Sequence, residues 1–223
     1  MTLEGDKKQG WLKVKEMMGD RRVSFGEHVS HWFHQSPRHP LYSISYYKFA
    51  SKLIGRDKKV LDVGCGEGLG TWLLAVECGK AVGVDQDKEA IRNAQGNWDD
   101  PRITFQCEDF FNLKQQKWDA ILCLDVIEHI LPENNSRFFQ KIADCLTHDG
   151  IAIIGTPNET AQQYASEVAN AGHVNLFSHE RLKNETARYF SHVFMFGAND
   201  EVVHTGFLPM SHYLIALGCK KRS

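Results

Sequence analysis

Between Lys59 and Ala75 the chain passes from an apolar, strand-like run (Lys59-Val60-Leu61-Asp62-Val63) through Gly64-Cys65-Gly66-Glu67-Gly68 into the helix-like run Thr71-Trp72-Leu73-Leu74-Ala75. A strand, a glycine turn and a helix start form the unit at which nucleotide-like ligands bind in open α/β sheets. Glycine at the turn permits positive φ and lets a ligand approach the backbone where a Cβ would block it. The dinucleotide spacing G-x-G-x-x-G is met only loosely, since Gly64, Gly66 and Gly68 alternate and Gly70 follows. Asp62 stands inside the strand, before the first glycine, where a carboxylate repels a pyrophosphate. A ligand carrying positive charge suits that position better.

Further strand-like runs follow in order: Ala81–Asp85, Ile103–Phe110, Trp118–Asp125 and Gly150–Asn158, the first three ending in acids and the fourth closed by Pro157. Later, Ser178 is placed to cap a helix reaching about Arg188. Two more strands, Phe190–Phe196 and His212–Cys219, flank a turn at Gly197–Glu201. At 223 residues, 42% hydrophobic and 24% charged, the chain can bury a full core. A net charge of −2 argues against general nucleic-acid binding. Six cysteines without a C-x-x-C pair read as reduced thiols. The absence of a long apolar run and of a secretion signal points to a soluble, cytoplasmic protein.

The stretch Val60-Leu61-Asp62-Val63-Gly64-Cys65-Gly66, with acids ending the next strands, resembles the first motifs of class I S-adenosylmethionine (SAM)-dependent methyltransferases. The resemblance implies a doubly wound, seven-stranded, mostly parallel α/β sheet of Rossmann-like type over residues 58–223, its last strand antiparallel. Residues 1–57 would form an N-terminal helical lid, with Trp11, Val14 and Met18 along one side of a first helix, a histidine-rich aromatic cluster at 25–34, a break at Pro37 and Pro40, and a helix from Tyr42 to Ile54. The implied cofactor is SAM. Its implied contacts are Asp62 toward the methionine end with Tyr47 nearby, Gly64, Cys65 and Gly66 at the turn, Asp85 with Gln86 at the ribose, Asp109 and Phe110 at the adenine, and Asp125.

Methyl transfer is an in-line displacement with a good leaving group, so the protein must chiefly position the nucleophile and exclude water. A hydroxyl nucleophile also needs a base or a metal. Asp125-Val126-Ile127-Glu128-His129 offers such groups, and at helical spacing Asp125 shares a face with Glu128 or His129. The segment resembles the E-x-x-E-H element of metal-dependent 2′-O-methyltransferases of small-RNA ends, and the corresponding element of ubiquinone-pathway O-methyltransferases. By that likeness, with Thr156-Pro157-Asn158 followed by His173, a divalent ion such as Mg²⁺ or Mn²⁺ would be held by Asp125, Glu128, His129 and His173. Without a metal, His129, His173 and Glu128 are the catalytic candidates. The tail, Phe196–Glu201 and Val203–Tyr213, resembles that of bacterial methyltransferases associated with surface polysaccharides. The expected reaction is O-methylation of a small polar hydroxyl compound such as a sugar or sugar phosphate. The alternatives are an amine acceptor, RNA ends, and a SAM-binding subunit without activity.

Overall fold

The computed structural model describes residues 3–20 and 22–222, with side chains from residue 9 onward. One sheet contains β1 (Lys58–Val63), β2 (Gly79–Asp85), β3 (Ile103–Cys107), β4 (Trp118–Leu124), β5 (Leu146–Pro157), β6 (Phe190–Asn199), β7 (Val202–His204) and β8 (Tyr213–Lys221). Their order across the sheet is β3-β2-β1-β4-β5-β8-β6-β7. Strands β1 to β5 pair in parallel, whereas β8 runs antiparallel to both of its neighbours, β5 and β6. The chain works outward from β1 to β3, then returns to β4 on the other side of β1. In open α/β sheets, ligands bind in the crevice beyond the strand carboxyl ends at such a reversal.

The expected mostly parallel sheet with an antiparallel last strand is present, with one strand more than seven. The additional strand is β7, three residues paired to β6 as a short outer edge. A run that short is too brief to display a period of two. The third and fourth strands stop at Cys107 and Leu124, before the acidic residues that the sequence reading had included.

Around the sheet lie α1 (Leu3–Met18), α2 (Glu27–Gln35), α3 (Arg38–Ile54), α4 (Leu69–Cys78), α5 (Lys88–Asn97), α6 (Asn135–Cys145), α7 (Glu167–Gly172) and α8 (His179–Ala187). Successive strand side chains point to opposite faces. Leu61, Val63, Ile121 and Cys123 therefore face a core with Phe138, Phe139 and Ile142 of α6 and Leu182 of α8. Val60, Ala120, Leu122 and Leu124 face Ala50 and Ile54 of α3 and Leu74, Ala75 and Cys78 of α4. Both faces are covered, which is why these strands read as near-continuous apolar runs. Burying each such Leu or Ile contributes about 1.5–3 kcal/mol.

One reading of the N-terminal region is corrected. Pro40 does not break a helix: α3 already begins at Arg38, placing Pro40 in the first turn, where its missing N–H would have had no helical partner. The apolar side expected for the first helix is unpartnered, with Trp11, Val14 and Met18 exposed at 57%, 41% and 70%. Instead α2 and α3 meet through aromatic stacking, Trp32 lying on His39 at 4.2 Å between ring centres. The six cysteines are all unpaired. Among the described residues no helix is long and apolar enough to cross a membrane.

Candidate active site

After β1 the backbone turns sharply. Gly64, Gly66 and Gly68 take φ of +72°, +51° and +78°, a region in which a Cβ is strained. The N–H groups of Gly64 and Cys65 both donate to the Val84 carbonyl, at 2.8 and 3.1 Å, sewing the turn to the end of β2. A Cβ on Gly64 would stand 2.3 Å from Val126 Cγ2, whereas one on Gly66 would meet nothing within 4 Å. Space at Gly66 is open, and there the backbone angle sets the requirement. Asp85, closing β2, accepts from Gly66 N through Oδ2 and from Asp87 N through Oδ1, both at 2.9 Å.

Beneath the turn, Asp62 is wholly buried. Thr71 Oγ1 of α4 donates to one carboxyl oxygen at 2.6 Å and Tyr47 Oη of α3 to the other at 3.2 Å. Burial pushes this carboxyl up to about 7, although both hydroxyls pull it back down. Burial likewise drives the Cys65 thiol far up. Farther along the strand ends, Gln86 is exposed and Asp109 accepts from Phe111 N at 2.8 Å. The Phe110 ring is packed inward, 5.5 Å from Phe138.

On the other side of the reversal, Asp125 follows β4 with φ +56°, an uncommon backbone conformation for a residue with a side chain. Its carboxylate is solvent-accessible but walled by protein, which raises it to about 6 while the neighbouring Tyr213 hydroxyl pulls it the other way. The Tyr213 hydroxyl is buried and lacks a full hydrogen bond.

A 3₁₀ turn, Ile127–His129, comes next. Glu128 is 1% exposed, with Oε2 accepting from Thr156 Oγ1 at 3.0 Å and Oε1 left without a partner. Burial, then the charge of Asp125, push it well above the usual carboxylate range. Its carbonyl accepts from Val174 N and Asn175 N at 2.9 and 3.1 Å, and Asn175 Nδ2 donates to the Ile127 carbonyl at 3.1 Å. These bonds lay residues 172–175 against the 3₁₀ turn and bring the His129 and His173 rings to 5.3 Å. His129 Nδ1 lies 2.9 Å from the Gly172 carbonyl, and His173 Nδ1 lies 3.1 Å from Gln162 Oε1. Each Nδ1 faces an oxygen and so must donate to it, which in a neutral ring leaves the lone pair on Nε2. Burial, then His129, lower the His173 pKa and favour its neutral form.

Ligating atoms of Glu128, His129 and His173 all lie within 4.8 Å of one another. Asp125, the fourth member of the set expected from sequence, stands outside that group. It precedes the 3₁₀ turn and faces Tyr213 instead of the imidazoles. A Glu128 carboxylate oxygen beside one nitrogen of each imidazole is a donor set that fits a divalent ion. Mixed carboxylate and imidazole ligation suits Mn²⁺, Fe²⁺ or Zn²⁺, and each imidazole is oriented by an oxygen behind it.

The sequence profile of a methyltransferase domain matches residues 60–150, the segment that carries the glycine turn, Asp85, Asp125 and Glu128. Over that segment the chain is similar to class I SAM-dependent methyltransferases. It is 26% identical over 147 residues to a probable SAM-dependent methyltransferase of Mycobacterium tuberculosis, covering 65% of this chain and 49% of that protein. It is 34% identical over 122 residues to the ubiquinone biosynthesis O-methyltransferase of Rickettsia typhi, covering 53% and 47%. The chain thus spans about half the length of such relatives. In three dimensions it resembles a TehB-like SAM-dependent methyltransferase of Corynebacterium glutamicum, with a TM-score of 0.61 at 21% identity over 81% of this chain and 88% of that one. That likeness shows the fold.

The structure brings together Tyr47, Asp62 and the glycine turn on one side of the reversal, and Glu128, His129 and His173 on the other. Sequence reading missed several groups that hold them. Thr71 and Thr156 fix the two buried carboxylates, and Asn175 fixes the segment after His173. Tyr213 stands over Asp125, and Glu67, within the glycine turn, is 5% exposed. The available signals were slight: Thr71 opens the helix after the motif, and Thr156 precedes the proline that closes β5.

Proposed function

We propose that this chain transfers the SAM methyl group to a hydroxyl of a small polar acceptor, such as a sugar or sugar phosphate, seated between the N-terminal helices and the 125–129 segment. The observation that carries this reading is the convergence of Glu128, His129 and His173 beside Asp125, with both Nε2 atoms free. A hydroxyl is a poor nucleophile until its proton is withdrawn, and one of these imidazoles is placed to accept it. An amine that arrives unprotonated would not need such a group. The named O-methyltransferases among the relatives agree with a hydroxyl acceptor.

The cofactor would lie across the carboxyl ends of β1, β2 and β3. The Gly64, Cys65 and Gly66 backbone would contact it, Asp62 and Tyr47 would shape the methionine end, Asp85 and Gln86 would take the ribose, and Asp109 with Phe110 would border the adenine. Asp125 would face the methionine portion from β4. If a divalent ion is part of the site, Glu128, His129 and His173 would hold it, and it would supply acidity to the acceptor hydroxyl.

A second reading, N-methylation of a small amine, is favoured by Asp125. Its accessible carboxylate lies near the hydroxyls of Tyr42 and Tyr213, a setting that suits an ammonium group.

The test is release of S-adenosylhomocysteine (SAH) with panels of sugar nucleotides, phosphosugars, catechols, amines and short RNA, with EDTA or added Mn²⁺. Turnover of a hydroxyl acceptor that falls at least about 100-fold in His129→Ala supports the reading. Loss with EDTA and recovery with metal assigns the three side chains as ligands, whereas indifference to EDTA assigns an imidazole as base. Turnover of amines alone overturns the hydroxyl reading in favour of the second.

A further inference from the structure

Glu67 lies in the middle of the glycine turn, and its side chain points away from the sheet toward the N-terminal helices. Gly26 N donates to Glu67 Oε2 at 2.6 Å and Val29 N donates to Oε1 at 3.0 Å. These are orphan N–H groups at the start of α2, whose own N-cap residue, Gly26, offers no side chain to satisfy them. A carboxylate from a distant part of the chain therefore caps this helix, where its charge also complements the helix dipole.

The fit is close on both sides. A Cβ on Gly26 would fall 2.2 Å from Asn93 Nδ2 and 2.9 Å from Glu67 Oε1, so a larger residue there must push both side-chain ends aside. The Glu67 carbonyl accepts from Trp98 Nε1 at 2.9 Å, and Trp98 stacks on Trp72 of α4 at 5.0 Å. Ser24 exchanges two bonds with the Asn97 side chain, Ser24 N donating at 3.0 Å and Asn97 Nδ2 donating back to the Ser24 carbonyl at 2.8 Å.

Helix α2 buries no residue at all. Core packing does not hold it. Its attachments are the Glu67 cap, the Ser24–Asn97 pair and the stack of Trp32 on His39. An element held by a few partly exposed polar contacts opens at far lower cost than the sheet beneath it.

We infer that Glu67 is a positioning residue that latches residues 22–36 to the rim of the cofactor cleft, so that release of this one carboxylate opens the cleft for exchange of SAM and SAH. The inference rests on the proposed location of the cofactor. The glycine turn thereby has two sides: its backbone faces the cleft, and its Glu67 side chain holds the cover.

The latch can be removed from either end. Glu67→Gln removes the charge and turns an amide toward N–H donors, while Gly26→Ala blocks the approach from the other side without altering the turn. Stopped-flow binding of SAH to the full chain should show association and dissociation both about tenfold faster in each variant, the scale expected for losing charge-assisted hydrogen bonds. Because both rates rise, affinity changes less than either. The double variant should be no faster than the single ones. A merely damaged binding turn speeds dissociation alone, and that result overturns the inference, as do unchanged rates or additive effects. If the unaltered chain binds no SAH, the cofactor reading fails. The latch is then judged by trypsin cleavage after Arg22, which both variants should accelerate. Equal cleavage in all three proteins overturns it.

Discussion

Asp62 illustrates how much of the site depends on single side chains held in unfavourable surroundings. Its carboxyl is raised to about 7 by burial, far above the value it has in the unfolded chain. Between about pH 4 and 7 the folded protein therefore holds a proton that the unfolded chain has released, and stability must fall as pH rises through that window. Urea denaturation at pH 5 and pH 8 should show a loss that is clearly smaller in Asp62→Asn, and equal losses would show that Asp62 does not titrate in this way. The sequence made residue types at the strand ends legible, because acids there interrupt apolar runs. It did not reveal their partners. Tyr47, Thr71 and Tyr213 reach Asp62 and Asp125 across 9 to 88 positions of the chain, and no local pattern records such meetings.

Elements were read most easily where pattern and punctuation agree. Ser178 was expected to cap a helix, and its Oγ accepts from Arg181 N at 3.1 Å at the start of α8. Ser178→Ala should cost about 1 kcal/mol in equilibrium unfolding. A loss well below that would mean solvent replaces the cap. The buried strands were legible for a different reason: cover on both faces keeps the buried part of β1, Asp62 apart, and most of β4 apolar. The start of α3 was obscured because proline marks a helix entry as readily as a helix end. His173 was expected at the site by resemblance, but nothing in the sequence showed how the 172–175 segment is held there. Its placement depends on two N–H bonds to the Glu128 carbonyl, a backbone group that sequence does not distinguish.

For the molecule as a whole, the order of strands explains why the two halves of the site lie side by side, one after β1 and one after β4. By contrast, α1 adds little: its side chains from Gln9 to Met18 are exposed. Replacing Trp11 and Val14 with Ser should move the melting temperature by less than about 2 °C, as for surface changes that touch no buried group. A larger fall would mean α1 packs in a way that its exposure does not suggest. The position of β8 has a consequence for how the protein comes into being. Ribosomes deliver residues in order, and β8 (Tyr213–Lys221) is the strand that fills the gap between β5 and β6. Until it emerges, the nascent chain carries two unsatisfied edges facing an empty slot, with β1 to β4 already available to assemble. A ribosome stalled near residue 205 would present those edges to any neighbouring strand, and this half-made sheet is where chaperone protection would matter most.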